Sequence, residues 1–298
     1  MTLRVGPALL ALSALAISVE QASAQETLDL APSADWVLRE EPESCMITRP
    51  FGTADNRVTF RLEAFSRASF YLGSLWGEPL PHRDSGAIEF QTRFNPDGKS
   101  LETGGILSKT TAGPMVTFRT SLERAAQREA RYEAGTPSPG PDAAREAEVD
   151  ELLITFSRGT PLKFVLGSMG EPMARLRACA EQLPGKWGLD PAVQLSLSRA
   201  PVPLEPGKWL APGTYPFDLL RAYRSALVQI RLMVDSTGTP TSCAIQSPRT
   251  PSNAGIIACR EIMKTAKFEP ALDATGVPAA SVYSTSIMYY TKRRNGSW

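Results

Sequence analysis

Residues 228–235 read Val-Gln-Ile-Arg-Leu-Met-Val-Asp, in which apolar and polar side chains alternate. Successive side chains of a strand point to opposite faces, so the apolar residues at the even positions share one face. The pattern predicts a half-buried strand, and Asp235-Ser-Thr-Gly238 after it is a turn sequence. We expect this strand to be the first strand of a C-terminal domain over residues 214–298.

Three further elements and a turn follow this strand. A second strand is expected at 241–247, a helix from Pro251 to about Lys267, a turn at Gly276 and a final strand over 281–291. This ββαβ order predicts a small domain in which one helix covers a three-stranded antiparallel sheet.

Two segments stand out upstream of this domain. Residues 200–213 are rich in proline and show neither a helical nor a strand period, which predicts an interdomain linker. Residues 128–150 are rich in Glu, Arg, Ala, Pro and Gly with almost no large apolar side chain, which predicts an exposed, mobile insertion. The insertion lies inside a first domain that we place at residues 25–199.

The first domain has the pattern of a β-rich fold. Residues 57–64 alternate in the same way, and further short strands are expected at 68–75, 87–93, 115–119, 152–157 and 161–166. One helix is expected to begin at Ser168, because the spacing from Ser168 to Glu171 fits a capping box. The predicted fold class is therefore α+β, a β-rich N-terminal domain with one capped helix followed by the ββαβ domain.

The first 24 residues have the layout of a secretory signal peptide. They contain one basic residue, Arg4, then an apolar stretch over 5–19, and the small-residue motif Ala22-Ser-Ala24. A retained membrane anchor is the alternative, but the apolar stretch is about 15 residues long whereas a span needs about 20. We expect cleavage after Ala24 and no integral membrane span in the mature chain.

The chain has 4 cysteines, an even number, which in an exported protein predicts two disulfides. Four cysteines allow three pairings, and none of them has the Cys-x-x-Cys spacing of a zinc ribbon or a thioredoxin-like site. We expect Cys45 to pair with Cys179, and Cys243 with Cys259, because each pair then stays within one domain. Both partners of each pair also lie on strands or helices that can face the same core.

Composition and motifs argue against several activities. A formal net charge of +1 argues against nucleic acid as the main partner, since phosphate binding needs an excess of Lys and Arg. His82 is the only histidine, which excludes sites that need two His ligands. Asp84-Ser-Gly86 has no second copy as an aspartic protease would require, and Gly98-Lys-Ser100 lacks the earlier glycine of a phosphate-binding loop. We therefore expect no catalytic residue, no metal and no cofactor.

Several residues of the C-terminal domain together resemble one protein family. They are Tyr215-Pro216, residues 228–235 with Gly238, Cys243, Cys259, Ala266-Lys-Phe-Glu-Pro-Ala271, Asp273 and Gly276. In this pattern the domain is similar to the C-terminal domain of the TonB family of periplasmic energy transducers. Residues 33–199 resemble an uncharacterised N-terminal domain that accompanies it in some exported bacterial proteins.

The resemblance implies a periplasmic, non-enzymatic interaction module that binds an extended peptide of an outer-membrane transporter or another envelope protein. The peptide would pair with an exposed strand edge. In a ββαβ order the returning strand pairs with the hairpin and keeps its outer edge open, so we expect the peptide there. The residues expected at this edge are Tyr215, Pro216, Tyr283, Thr285, Ser286, Ile287 and Tyr289.

Two alternatives stay open. In the first, residues 1–24 are retained as a membrane anchor and the chain is a full energy transducer. A transducer also needs a long spacer to cross the periplasm, whereas here the first 24 residues lead into a domain that we expect to be folded. In the second alternative, the N-terminal domain has an unrecognised ligand-binding or hydrolytic site.

The processing of the N-terminus gives the first testable prediction. The intact mass of the exported protein should match a chain that begins at Gln25, because the small residues at 22–24 fit a signal-peptidase site. Recovery of the full-length chain from the inner membrane would contradict cleavage and favour the transducer alternative.

Overall fold

The computed structural model describes residues 26–67, 70–133, 140, 142–211, 213–222, 224–247 and 252–291. The expected signal peptide, residues 1–24, lies outside these ranges, and so does Pro251 at the expected helix start. The fold is α+β and rich in strands, with one large curled sheet, which agrees with the predicted fold class at this level.

The first part of the chain contains a long series of strands and several helices. The strands are β1 (Leu28–Leu30), β2 (Val37–Glu40), β3 (Cys45–Phe51), β4 (Val58–Ala64), β5 (Tyr71–Gly77), β6 (Gly86–Phe94), β7 (Leu101–Thr110), β8 (Gly113–Thr120), β9 (Glu151–Phe156) and β10 (Leu162–Val165). The helices are α1 (Ala125–Glu133), α2 (Ala143–Glu148), α3 (Gly170–Lys186) and α4 (Pro191–Ser196).

The second part of the chain contains seven strands and two helices among the described residues. The strands are β11 (Val202–Leu204), β12 (Ala226–Val234), β13 (Pro240–Ile245), β14 (Lys267–Glu269), β15 (Ala271–Leu272), β16 (Pro278–Ala279) and β17 (Ser281–Tyr289). The helices are α5 (Phe217–Arg221) and α6 (Ser252–Thr265), and a 3₁₀ turn spans Pro206–Lys208.

The strands β1 to β10 form one sheet, in the order β1-β10-β9-β6-β7-β8-β5-β4-β3-β2. The segment between β1 and β2 then pairs with β3. The Gly52 amide donates to the Ala31 carbonyl at 2.7 Å, and the Ser33 amide donates to the Pro50 carbonyl at 3.0 Å. Because β1 and β2 are at opposite ends of the strand order, these bonds bring the two ends together and the sheet curls round on itself.

The inside of this sheet holds the larger hydrophobic core. Along β4 the side chains of Val58, Phe60 and Leu62 are fully buried, as the alternation of this stretch predicts. The helix α3 contributes Leu176 and Leu183 to the same cluster. Burying a side chain of this size stabilises a fold by about 1.5–3 kcal/mol, so the contact between sheet and helix is a large part of the core.

The second hydrophobic core lies in the C-terminal part of the chain. The strands β13, β12 and β17 form a three-stranded antiparallel sheet in that order. Val228, Ile230 and Leu232 of β12 are fully buried in one cluster with Ala258 and Ile262 of α6. Along the chain β12 and β13 come first, α6 follows, and the short strands β14 to β16 precede β17.

Each of the two disulfides joins a strand to a helix. Cys45–Cys179 joins β3 to α3 with Cα atoms 6.1 Å apart, and Cys243–Cys259 joins β13 to α6 with Cα atoms 5.6 Å apart. This is the within-domain pairing expected from the sequence. The bridges close chain segments of 134 and 16 residues, which in a chain-entropy estimate stabilise the fold by about 5 and about 3 kcal/mol.

The start of α3 differs from the prediction. The helix begins at Gly170 after Met169, which gives no side-chain cap, and the Glu171 carboxylate pairs with Arg175 at 3.0 Å. Ser168 accepts only a long hydrogen bond of 3.4 Å from the Gly170 amide, and its hydroxyl donates to the Ala147 carbonyl at 3.0 Å. The side-chain caps are instead on the short helices α2 and α4, so the expectation of a single capped helix is wrong.

The expected mobile insertion at 128–150 is partly wrong. Residues 134–139 and 141 lie outside the described part of the chain. In α2, however, Arg145 is only 4% exposed and donates to the carbonyls of Leu122 and Phe94 at 2.9 and 3.1 Å. Glu146, its neighbour, is buried in an ion pair with Arg177 of α3. A charged stretch therefore packs here because each buried charge has a partner.

The expected linker at 200–213 also differs from the prediction. Within it β11 pairs with β14 in an antiparallel ladder. Trp209 is 4% exposed and lies in the second core, with its ring centroid 5.2 Å from Phe268 and 5.9 Å from Tyr283. The segment is thus part of the C-terminal unit, because an aromatic side chain between the prolines supplies the apolar contact that periodicity did not show.

The helices of the described residues are all too short or too polar to cross a membrane.

The buried Arg145 gives a prediction about stability. Replacement of Arg145 by Ala should lower the free energy of unfolding by about 3 kcal/mol, because buried carbonyl oxygens lose their donor. The control is Arg124→Ala, since both arginines pair with Glu148 but the Arg124 side chain is 37% exposed. That change should cost less than about 1 kcal/mol. Urea unfolding measures both, and equal effects would show that Arg145 is not a structural anchor.

Candidate functional site

The final strand β17 forms one edge of the three-stranded sheet. It pairs with β12 along its whole length, from Ser281 opposite Val234 to Tyr289 opposite Ala226. In the described part of the chain no strand pairs with its other side. An edge strand presents N–H and C=O groups that another chain can bind, so β17 has the backbone geometry expected from the sequence.

The structure brings the predicted edge residues together. Five of them lie on β17, namely Tyr283, Thr285, Ser286, Ile287 and Tyr289. The other two, Tyr215 and Pro216, come directly before α5, and the ring of Tyr215 is 5.2 Å from the ring of Tyr289. The pair Tyr215-Pro216 therefore lies at the C-terminal end of the strand.

The three tyrosines of this set serve the core. Tyr283 packs on Trp209 and Phe268, and Tyr289 is 5% exposed. The Tyr215 hydroxyl donates to the Arg224 carbonyl at 2.7 Å. Burial raises the pKa of all three phenols, so each remains neutral at physiological pH. Their rings hold β17 against the core, so the backbone N–H and C=O groups of the free edge are what a ligand can bind.

Polar side chains mark the centre of β17. Residues 282–287 are all half-buried. The Ser286 hydroxyl donates to the Gln229 side-chain oxygen at 2.5 Å, and the Ser284 hydroxyl donates to the Phe65 carbonyl at 3.3 Å. A pocket of about 50 Å³ lies beside these hydroxyls, and its lining includes Leu72 and Arg119 of the first sheet. Both parts of the chain thus contribute to the surface next to the edge.

The face of the small sheet that points away from α6 docks on the first part of the chain. Arg231 is 9% exposed, donates to the Glu43 carboxylate at 2.9 and 3.1 Å, and lies 4.3 Å above the ring of Trp187. Gln246 donates to the carbonyls of Glu43 and Phe65 at 3.2 and 3.3 Å. The strand expected to be half-buried is therefore buried on both faces.

The residues that carry this docking were not identified from the sequence. Arg231 and Glu43 are separated by 188 residues, and nothing in either local stretch indicates the other. The one local indication in the sequence is that Arg231 interrupts an apolar strand. It shows that a charged side chain lies on the second face of the sheet, but it does not show which residues cover that face.

Other chemical groups were also located. The His82 imidazole Nε2 lies 2.7 Å from the Glu78 carbonyl on an exposed turn. Among the residues that the structure describes, no group of three or more His, Cys, Asp and Glu side chains is placed to hold a metal ion.

Comparisons of the chain with protein-family models, with curated proteins and with solved structures give no match. The geometry of β17 and of the surface beside it is therefore the basis on which a function can be assigned.

The contact between Arg231 and Glu43 gives a prediction about the docking. Replacement of Arg231 by Ala should lower the free energy of unfolding by about 1–2 kcal/mol, because a bidentate ion pair and a ring contact are lost while Glu43 stays partly solvated. The control Arg260→Ala removes an exposed pair with Glu261 and should change little. If both variants unfold at the same urea concentration as the wild type, the docking contributes no stability.

Proposed function

We propose that the chain is a periplasmic interaction module whose C-terminal unit binds an extended peptide by adding it to β17 as a new strand. The peptide would come from an outer-membrane transporter or another envelope protein. The observation that carries this proposal is the edge position of β17, whose 9 residues pair with β12 on one side alone in the described residues. Strand addition needs such an edge, and the affinity comes from main-chain hydrogen bonds.

The length of the edge supports the proposal. A strand rises about 3.3 Å per residue, so nine residues present an edge about 30 Å long. A bound peptide of six to eight residues would then alternate its side chains above and below the sheet. One set would lie beside α6 and the other beside the outer face of the first sheet.

Other features agree with this function. The order β13-β12-β17 with α6 packed against it is compatible with the ββαβ arrangement expected from the sequence, and the Cys243–Cys259 disulfide ties α6 to β13. Two disulfides in a chain that begins with a signal-like segment support an oxidising, exported location. We propose no catalytic role for this unit, and we assign the first part of the chain a supporting role beside the edge.

A pair of proline substitutions tests the use of the edge. Successive residues of a strand direct their N–H groups to opposite edges, so one of Thr285→Pro and Ser286→Pro removes a donor from the free side. The peptides for this test are those that the mature wild-type protein enriches from a random dodecapeptide phage library. The proline variant that keeps the wild-type circular dichroism spectrum should no longer bind them. Ser286→Ala is the matched control and should keep binding, because backbone groups make the contact.

Two outcomes of this experiment would contradict different parts of the proposal. A folded proline variant at the free edge that binds the enriched peptides as tightly as wild type would contradict strand addition to β17. Failure of the wild-type protein to enrich any peptide would contradict peptide binding itself.

A further inference from the structure

A group of arginine side chains lies next to the centre of β17. Arg119, on the outer face of β8, is exposed, and its guanidinium carbon lies 4.1 Å from the centre of the Phe70 ring. Arg131 of α1 lies 5.6 Å from the same ring. Arg128, one turn earlier on α1, interacts electrostatically with both arginines. Two guanidinium groups thus lie over one aromatic ring, and a third is close enough to interact with both.

Among the described residues, the Glu123 carboxylate interacts with both Arg128 and Arg131. Glu123 accepts two hydrogen bonds of 3.1 Å from Arg131, which holds Arg131 in place. Arg119 has no hydrogen bond or ion pair from its side chain in the described ranges, and Arg128 interacts with Glu123 only at longer range. Arg119 therefore has no direct counter-ion among the described residues.

The environment of Arg119 is unfavourable for a lone cation. Neighbouring protein atoms desolvate the guanidinium although part of it is exposed, and this lowers the pKa of Arg119. Tyr283 opposes the change, and the like charges of Arg128 and Arg131 add to it. Desolvation also lowers the pKa of Arg128, and Glu123 opposes that change. A guanidinium remains charged at neutral pH, so an incoming anion would relieve the repulsion.

The pocket at β17 has a suitable size and lining for such an anion. Its polar lining includes Arg119 from the first sheet, Gln229, and residues 284–286 of β17. A volume of about 50 Å³ exceeds the roughly 10–15 Å³ that a single water molecule needs, so the pocket has room for a small group such as a carboxylate.

We propose that Arg119, assisted by Arg128, binds the carboxylate of an Asp or Glu side chain of the extended peptide that adds to β17. This inference rests on the proposed function and specifies the chemistry of its partner. Alternate side chains of an added strand point to the side where the first sheet lies, so one of them can enter the pocket. A guanidinium matches a carboxylate with two parallel N–H donors. The first part of the chain thus selects acidic peptides.

The experiment uses the mature full-length chain and a phage library of random dodecapeptides. Displayed peptides have no free C-terminus, so only a side chain can supply the carboxylate. The library is selected on the wild type, on Arg119→Gln and on Arg158→Gln, a control at an exposed residue after β9, three strands from β8 in the sheet. We expect Asp or Glu at one position of the peptides enriched by the wild type and by the control, and no such preference with Arg119→Gln.

A measurement of affinity completes the test. An enriched peptide is synthesised with an amidated C-terminus, once with its acidic residue and once with the matching Gln or Asn. On the wild type the neutral peptide should bind about tenfold more weakly, as loss of a hydrogen bond to a charged group implies. On Arg119→Gln the two peptides should bind alike. The ratio of the two affinities on the wild type should also fall between 50 and 500 mM NaCl, because salt screens the ion pair. This measurement uses only the wild-type protein, so it does not depend on whether the variant folds.

The outcomes separate the two proposals. Enriched peptides with no acidic preference on the wild type, or a preference that persists in Arg119→Gln, would overturn the carboxylate site and leave strand addition in place. An absence of enriched peptides on the wild type would overturn strand addition itself, and the carboxylate site with it.

Discussion

The strand β12 is buried on both faces, and the arrangement of the two cores depends on how those faces are covered. Its apolar residues pack with α6, while Arg231 on the other face binds Glu43 and stacks on Trp187. A buried guanidinium is tolerated only with partners of this kind. This docking sets β17 beside the outer face of the first sheet, and it is the reason why Arg119 stands next to the strand edge.

The parts of the fold that the sequence predicts well are those with a local signal. The strands around Phe60 and Ile230 are recognisable because every second residue is apolar over a whole strand. The disulfide pairing can be predicted from the sequence because both cysteines of each pair belong to the same core. The edge position of β17 was also expected, since the order of the elements along the chain limits how the last strand can pair.

The parts that the sequence did not reveal depend on partners far away in the chain. Arg145 looked solvent-exposed because its acceptors, on Phe94 and Leu122, cannot be read from its own neighbourhood. The strand β7 was missed because two glycines interrupt its pattern. Gly105 is needed there, since an added Cβ would come within 2.9 Å of the Thr117 carbonyl oxygen. Arg119 was missed for the same reason as Arg145.

The most direct test of the account is residue-resolved amide hydrogen exchange on the mature protein, with and without an enriched peptide. Strand addition protects the amides that point away from β12, so exchange should slow at alternate residues of β17 between Val282 and Met288. The opposite edge strand, β13, should exchange at an unchanged rate. Protection on β13, or on the first sheet without any change in β17, would contradict the account.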